Sequence, residues 1–117
     1  MASIIKAVLT GSTNNRAIGV SASGVVIHTV ASLTTTLDEV YLWAVNDGTQ
    51  AYGVTVEFGG SNSADKITMS VANQEGPQLM VPGIILAGAA TPPVVSSFVT
   101  GTNTISILGY VNRIDQS

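Results

Sequence analysis

Between Tyr52 and Phe58 the chain alternates strictly: Tyr52, Val54, Val56 and Phe58 fall on one side, Gly53, Thr55 and Glu57 on the other. A period of two marks a strand with one buried face. Upstream, Val40, Tyr41, Leu42, Trp43, Ala44 and Val45 form an unbroken apolar run, bounded by Asp38-Glu39 and Asn46-Asp47-Gly48. So short a run reads as a central strand, apolar on both faces, whose second face must be covered by something. Asp47-Gly48 between the two runs favours the positive φ of a tight turn, so residues 37–58 are predicted to form a hairpin.

Residues 66–72 alternate again, with Ile67, Met69 and Val71 inward. Residues 78–81 are predicted as a short strand ended by Pro82-Gly83, and residues 84–86 as another. Residues 94–100 and 104–111 read as a terminal hairpin around Gly101-Thr102-Asn103. Within the last strand the apolar face changes between Ile107 and Leu108, which predicts a bulge near Gly109. Residues 4–10 and 25–30 complete the set, and Ser12-Thr13-Asn14-Asn15-Arg16 is a polar loop. Helical periodicity is absent, while β-branched Val, Ile and Thr abound. The prediction is an all-β, antiparallel β-sandwich, jelly-roll-like, with about eight or nine short strands. Residues 1–117 form a single domain, without repeat or linker.

Composition changes the picture at the surface. Only 9% of the 117 residues are charged, against roughly 25% in an ordinary soluble domain. The cations are Lys6, Arg16, Lys66 and Arg113, scattered along a chain of net charge -3, so no basic stripe for nucleic acid is evident. There is no cysteine, hence no disulfide framework or thiolate metal site, which fits synthesis in a reducing cytoplasm. The first six residues do not read as a secretory signal, because Lys6 interrupts the apolar run. Residues 79–99 carry no charge, but Pro82, Gly83, Gly88, Pro92 and Pro93 break the stretch, so no membrane span is predicted.

Candidate chemistry is sparse. His28 is the only imidazole; alternation places it with Val26 and Val30, and no second His or Cys is present to complete a zinc site. No Gly-x-Ser-x-Gly elbow accompanies it, so no catalytic, cofactor-binding or metal-binding residue is assigned. Asp38 and Glu39 point to opposite faces of a strand and are read as solvating its entry. The aromatic residues Tyr41, Trp43, Tyr52, Phe58, Phe98 and Tyr110 are read as core or subunit anchors before ligand platforms. A surface of Thr, Ser and Gly avoids the rotamer entropy and charge burial that Lys or Glu would bring to an interface. The chain is therefore expected to be a homo-oligomer, with sheet edges covered by copies of itself.

Several segments carry a resemblance. They are residues 5–11 (IKAVLTG), 36–46 (TLDEVYLWAVN), 54–60 (VTVEFGG), 81–83 (VPG) and 107–114 (ILGYVNRI). Together they resemble small virion proteins of tailed bacteriophages of the capsid decoration, or cement, type. The resemblance spans nearly the whole chain and contains no catalytic signature. It implies a non-enzymatic structural protein made in the host cytoplasm and placed on the outer capsid surface. It also implies binding as a homo-oligomer, a trimer, where subunits of the major capsid protein meet. Tyr41, Trp43, Arg16 and Arg113 are the candidate interface residues, the arginines as partners for capsid carboxylates. The alternative is a tail-fibre or receptor-binding, glycan-binding sandwich module, which exposed Tyr41 or Trp43 would favour.

Overall fold

The computed structural model describes residues 3–101 and 104–116. Nine strands run in chain order: β1 (Ser3–Ala7), β2 (Ile18–Val20), β3 (Val25–Thr29), β4 (Thr36–Val45), β5 (Tyr52–Phe58), β6 (Lys66–Val71), β7 (Gln78–Ala87), β8 (Val94–Val99) and β9 (Ile105–Asp115). They form two antiparallel sheets. One has the order β1-β9-β4-β7, with β2 also on β9; the other has the order β3-β8-β5-β6. From β3 onward, strands β4, β7 and β9 fall in the first sheet and β3, β5, β6 and β8 in the second. The pairs β1·β9, β3·β8, β4·β7 and β5·β6 give the jelly-roll connectivity expected of a double-sheet sandwich.

The core lies between the sheets. Val40, Leu42 and Ala44 of β4 and Ile105, Ile107 and Val111 of β9 face Val54 and Val56 of β5 and Val95 and Val99 of β8. Burying a Val, Leu or Ile side chain is worth about 1.5–3 kcal/mol each, so this set supplies the main adhesion of the layers.

Four expectations are corrected. The segment 37–58 is not a hairpin: β4 and β5 lie in opposite sheets, and Asn46-Asp47-Gly48 turns the chain across the sandwich. Buried Asn46 holds that corner, accepting from Gly48 N–H and donating to the carbonyls of Gln50 and Val71. The same holds at the end of the chain, where β8 and β9 belong to different sheets; Thr102 and Asn103 of the expected turn lie outside the described residues. Residues 78–87 are one strand, not two. Strand β7 passes through Pro82-Gly83 by shifting register against β4 between Val40 and Tyr41, and shifts again between Leu42 and Trp43. Finally, β9 has no bulge near Gly109: its register with β4 is unbroken from Thr36↔Asp115 to Val45↔Ser106. Its apolar side does not switch; both sides are apolar.

Gly109 is required by that pairing, because a Cβ there would lie 2.0 Å from the Tyr41 carbonyl oxygen. The additional strand β2 (Ile18–Val20) is three residues long and escapes periodicity, yet buries Ile18 and Val20.

Candidate functional site

The two sides of β4 carry the two polar features of interest. On its inner side Thr36, Asp38, Val40, Leu42 and Ala44 are buried. Asp38 thus sits among core residues, which overturns its reading as a solvated strand entry. A bulge in β3 between Val26 and His28 turns Ile27 and His28 both inward. His28 therefore does not share a face with exposed Val26, as simple alternation had it.

His28 Nδ1 accepts from the Thr10 N–H at 3.2 Å, which leaves the proton on Nε2, donated to Asp38 Oδ2 at 2.8 Å. From β9, Arg113 Nε donates to Asp38 Oδ1 and Nη2 to Oδ2, both at 2.8 Å. Burial pushes the Asp38 carboxyl up; the hydrogen bonds from Arg113 and His28 and the guanidinium charge outweigh it, holding its pKa below the usual 3.8. The hydrogen bond to Asp38 likewise raises Arg113, against the effect of burial. Both ring nitrogens of His28 are engaged, so the imidazole is not arranged to take a proton from a nucleophile. The trio ties β3 of one sheet to β4 and β9 of the other. Arg113 is thereby held by an internal carboxylate, with 32% of its side chain still exposed. It borders an open cleft of about 490 Å³ with Ile5, Thr10, Thr29, Val30 and Leu33. Arg16 is remote from this trio, exposed in the loop before β2, where its carbonyl accepts from Ser12 Oγ.

The outer side of the same sheet is built in rows, because residues directly opposite in antiparallel strands face the same way. One row is Ile4, Ile114, Leu37 and Ala87; the next is Lys6, Asn112, Glu39 and Ile85. Beyond these lie Tyr110 with Tyr41, then Leu108, Trp43 and Leu79. Ile4 is 69% exposed, Leu79 49% and Ile85 47%. The second face of β4, which the sequence requires to be covered, is not crossed by any other element among the described residues.

Tyr41 and Tyr110 stack at 4.9 Å between ring centroids and 17° between planes, and Trp43 lies nearly parallel to both at 6.1–6.4 Å. Lys6 Nζ approaches Tyr110 from the β1 side, 4.4 Å from the ring centroid. Tyr41 leans over Gly83, whose φ of +89° fits the register shift in β7 and whose absent Cβ leaves room for the ring. Glu39 Oε1 accepts from Tyr41 Oη at 3.1 Å and from Asn112 Nδ2 at 3.0 Å. The hydrogen bond to Glu39, with burial and the nearby carboxylate charge, raises the Tyr41 pKa above 10.0. The structure thus brings Tyr41 and Trp43 together and adds Tyr110, Lys6 and Glu39; Arg16 and Arg113 lie elsewhere. From sequence Lys6 reads only as one of four scattered cations and Glu39 only as solvating the entry of its strand. The signal available was the outward alternation 37, 39, 41, 43 joined to the matching alternation 108, 110, 112, 114 in the last strand.

Among the described residues no group of three or more His, Asp or Glu is placed to hold a metal ion. No helix is long and apolar enough to cross a membrane, which says nothing of a β-barrel. Neither a scan against protein-family models nor a search of curated proteins finds a match.

Proposed function

We propose that this chain is a non-enzymatic structural protein of a tailed-phage virion. It sits on the outer surface of the head, contacts the major capsid protein and associates with copies of itself. The observation that carries this reading is the outer face of the β1-β9-β4-β7 sheet: apolar, aromatic and uncovered by the chain's other described residues. A contiguous apolar patch on that scale marks a protein contact in soluble domains. Two of the longest segments behind the phage resemblance fall on this sheet, since residues 36–46 contain β4 and residues 107–114 lie within β9, while residues 54–60 belong to β5 of the other sheet. Jelly rolls serve viral capsids but also lectins and cupins, so the fold supports the reading without selecting it.

The glycan-binding alternative needs a ring face laid open to a sugar. Tyr41 and Tyr110 instead turn their faces to one another, and Lys6 takes Tyr110 from the other side. Cryo-electron microscopy of particles from the virus that encodes the chain tests the proposal. The expected result is density for the sandwich on the outer head surface; density confined to the tail, or none, overturns it.

A further inference from the structure

We infer that the outer face of the β1-β9-β4-β7 sheet is a self-complementary surface that takes a second copy of this chain, face to face, about a two-fold axis running along β9. The argument begins with charge. In the row Lys6–Asn112–Glu39, the cation stands on β1, the anion on β4, and the amide on β9 between them. Neither charge has an opposite partner in the ion pairs among the described residues, which all involve Asp38. Two strand spacings of about 4.8 Å separate them, and within one copy Lys6 turns to the Tyr110 ring while Glu39 accepts from Tyr41 and Asn112. A two-fold axis along β9 lays Lys6 of each copy over Glu39 of the other and leaves Asn112 facing its own image. Any other occupant has to supply this plus–minus pair in mirrored order; a second copy supplies it by symmetry.

The relief follows the same axis. Ile4 and Leu37 flank Ile114 at similar distances, so apolar meets apolar. Bulky Trp43 stands beside Leu108 on the β4 side. On the opposite side of β9 the chain is low: Ala17 is exposed, and a Cβ built on Gly19 meets nothing within 4 Å. The two-fold axis sets the Trp43 of each copy into that depression on the other. With the axis on β9, three strand positions overlap and β7 overhangs the partner. Three strands about 4.8 Å apart and ten residues of about 3.3 Å give a flat footprint of roughly 480 Å² per copy. Corrugation raises the accessible area, so the total lies toward the small end of the range of about 1,200–2,000 Å² for stable interfaces.

This goes beyond the virion reading and draws on it only for the expectation of self-association. It departs from the three-fold assembly that the family resemblance implies. The test is the mass of the purified full chain by light scattering at micromolar concentration, with charge exchange across the axis. The 11.9 kDa chain is expected to run at twice its mass. K6E alone and E39K alone each place like charges together at two symmetric points and are expected to weaken the dimer about tenfold or more. The double exchange K6E/E39K is expected to restore it. Ile4→Lys, at the rim of the face and outside the charged row, faces Leu37 of the other copy; it gives a second perturbation should Glu39 variants fail to fold, and is expected to weaken the dimer too. A monomeric parent chain overturns the proposal, as does a trimer indifferent to these changes or a double exchange no better than its singles. A chain that is monomeric in solution yet coats phage heads overturns this inference alone; a dimer absent from virions overturns only the functional reading.

Discussion

The two outer faces of the sandwich are made from the same kind of strand and finished differently. On the β3-β8-β5-β6 sheet the outward rows are mostly polar: Thr55 lies between Thr68 and Phe98, Glu57 between Lys66 and Ser96 with exposed Val26 beyond, and Gly53 faces Ser70. Thr55 and Thr68 share a hydroxyl contact at 3.2 Å, and Ser96 donates to Glu57 at 3.3 Å. These groups satisfy one another and remain compatible with water. The other sheet turns out Ile4, Leu37, Tyr41, Trp43, Leu108, Tyr110 and Leu79 around a single charged row. The scarcity of charge in this chain is therefore not a uniform property of its surface. It reflects one sheet finished mostly with hydroxyls and one finished mostly with rings and aliphatic groups.

The contrast between the two sides of β4 can be broken most severely at Asp38. Asp38→Ala removes the acceptor for buried His28 and for Arg113 and is expected to cost about 3–5 kcal/mol, read as a lowered urea midpoint. Its neighbour on the outer side, Glu39→Ala, is expected to change monomer stability by less than about 1 kcal/mol. Equal costs for the two would end the distinction between an inner and an outer carboxylate. Next in size is Gly83→Ala, at φ +89° with the Tyr41 ring where the new Cβ must go; a loss of about 1–3 kcal/mol is expected. Gly76→Ala, also at positive φ but in open space, is expected to cost less, about 1 kcal/mol.

A pH series sharpens the same contrast. The folded pKa of Asp38 lies below its ordinary value of 3.8. Between the two values the unfolded chain binds the proton and the folded chain does not, so Asp38 contributes stability above about pH 4 that is lost as pH falls through the lowered value. Thermal melts from pH 7 to pH 2 are expected to show this acid loss in the parent chain and a flatter profile in Asp38→Asn. The smallest effect is expected on the polar face, where Thr68→Val is expected to stay within about 0.5 kcal/mol by thermal melting and to leave the oligomer unchanged.

Much of this was legible in the chain. The alternation of β5 and the two-sided apolar run of β4 located both strands, and the second face of β4 announced itself as needing a partner. Tyr41 and Trp43 were named from it. Sheet membership was not legible, because Asp47-Gly48 makes the same turn whether the next strand pairs or crosses to the other layer. In a jelly roll the pairing is mostly non-local, and local patterning carries no record of it. Asp38 was legible in principle: it shares a parity with Val40, Leu42 and Ala44, yet a carboxylate in that register reads as an end until His28 and Arg113 are seen to meet it. The β3 bulge that brings His28 inward leaves no mark in the sequence, nor does the charge symmetry of Lys6 and Glu39 about Asn112, which exists only once β9 lies between β1 and β4.

The pairing of β1 with β9 sets Ser3 beside Asp115, and Asp115 is also opposite Thr36. Both ends of the described chain thus leave from one extremity of the molecule, along strands that run antiparallel and side by side. Any polypeptide joined before Ser3 or after Asp115 emerges at the same point, at the far end of the sheet from Trp43. Two cargoes fused one to each end would be presented as neighbours. A short connector between the ends would close the backbone, leaving an exposed turn such as the one around Ser61-Asn62 as the place to open it anew.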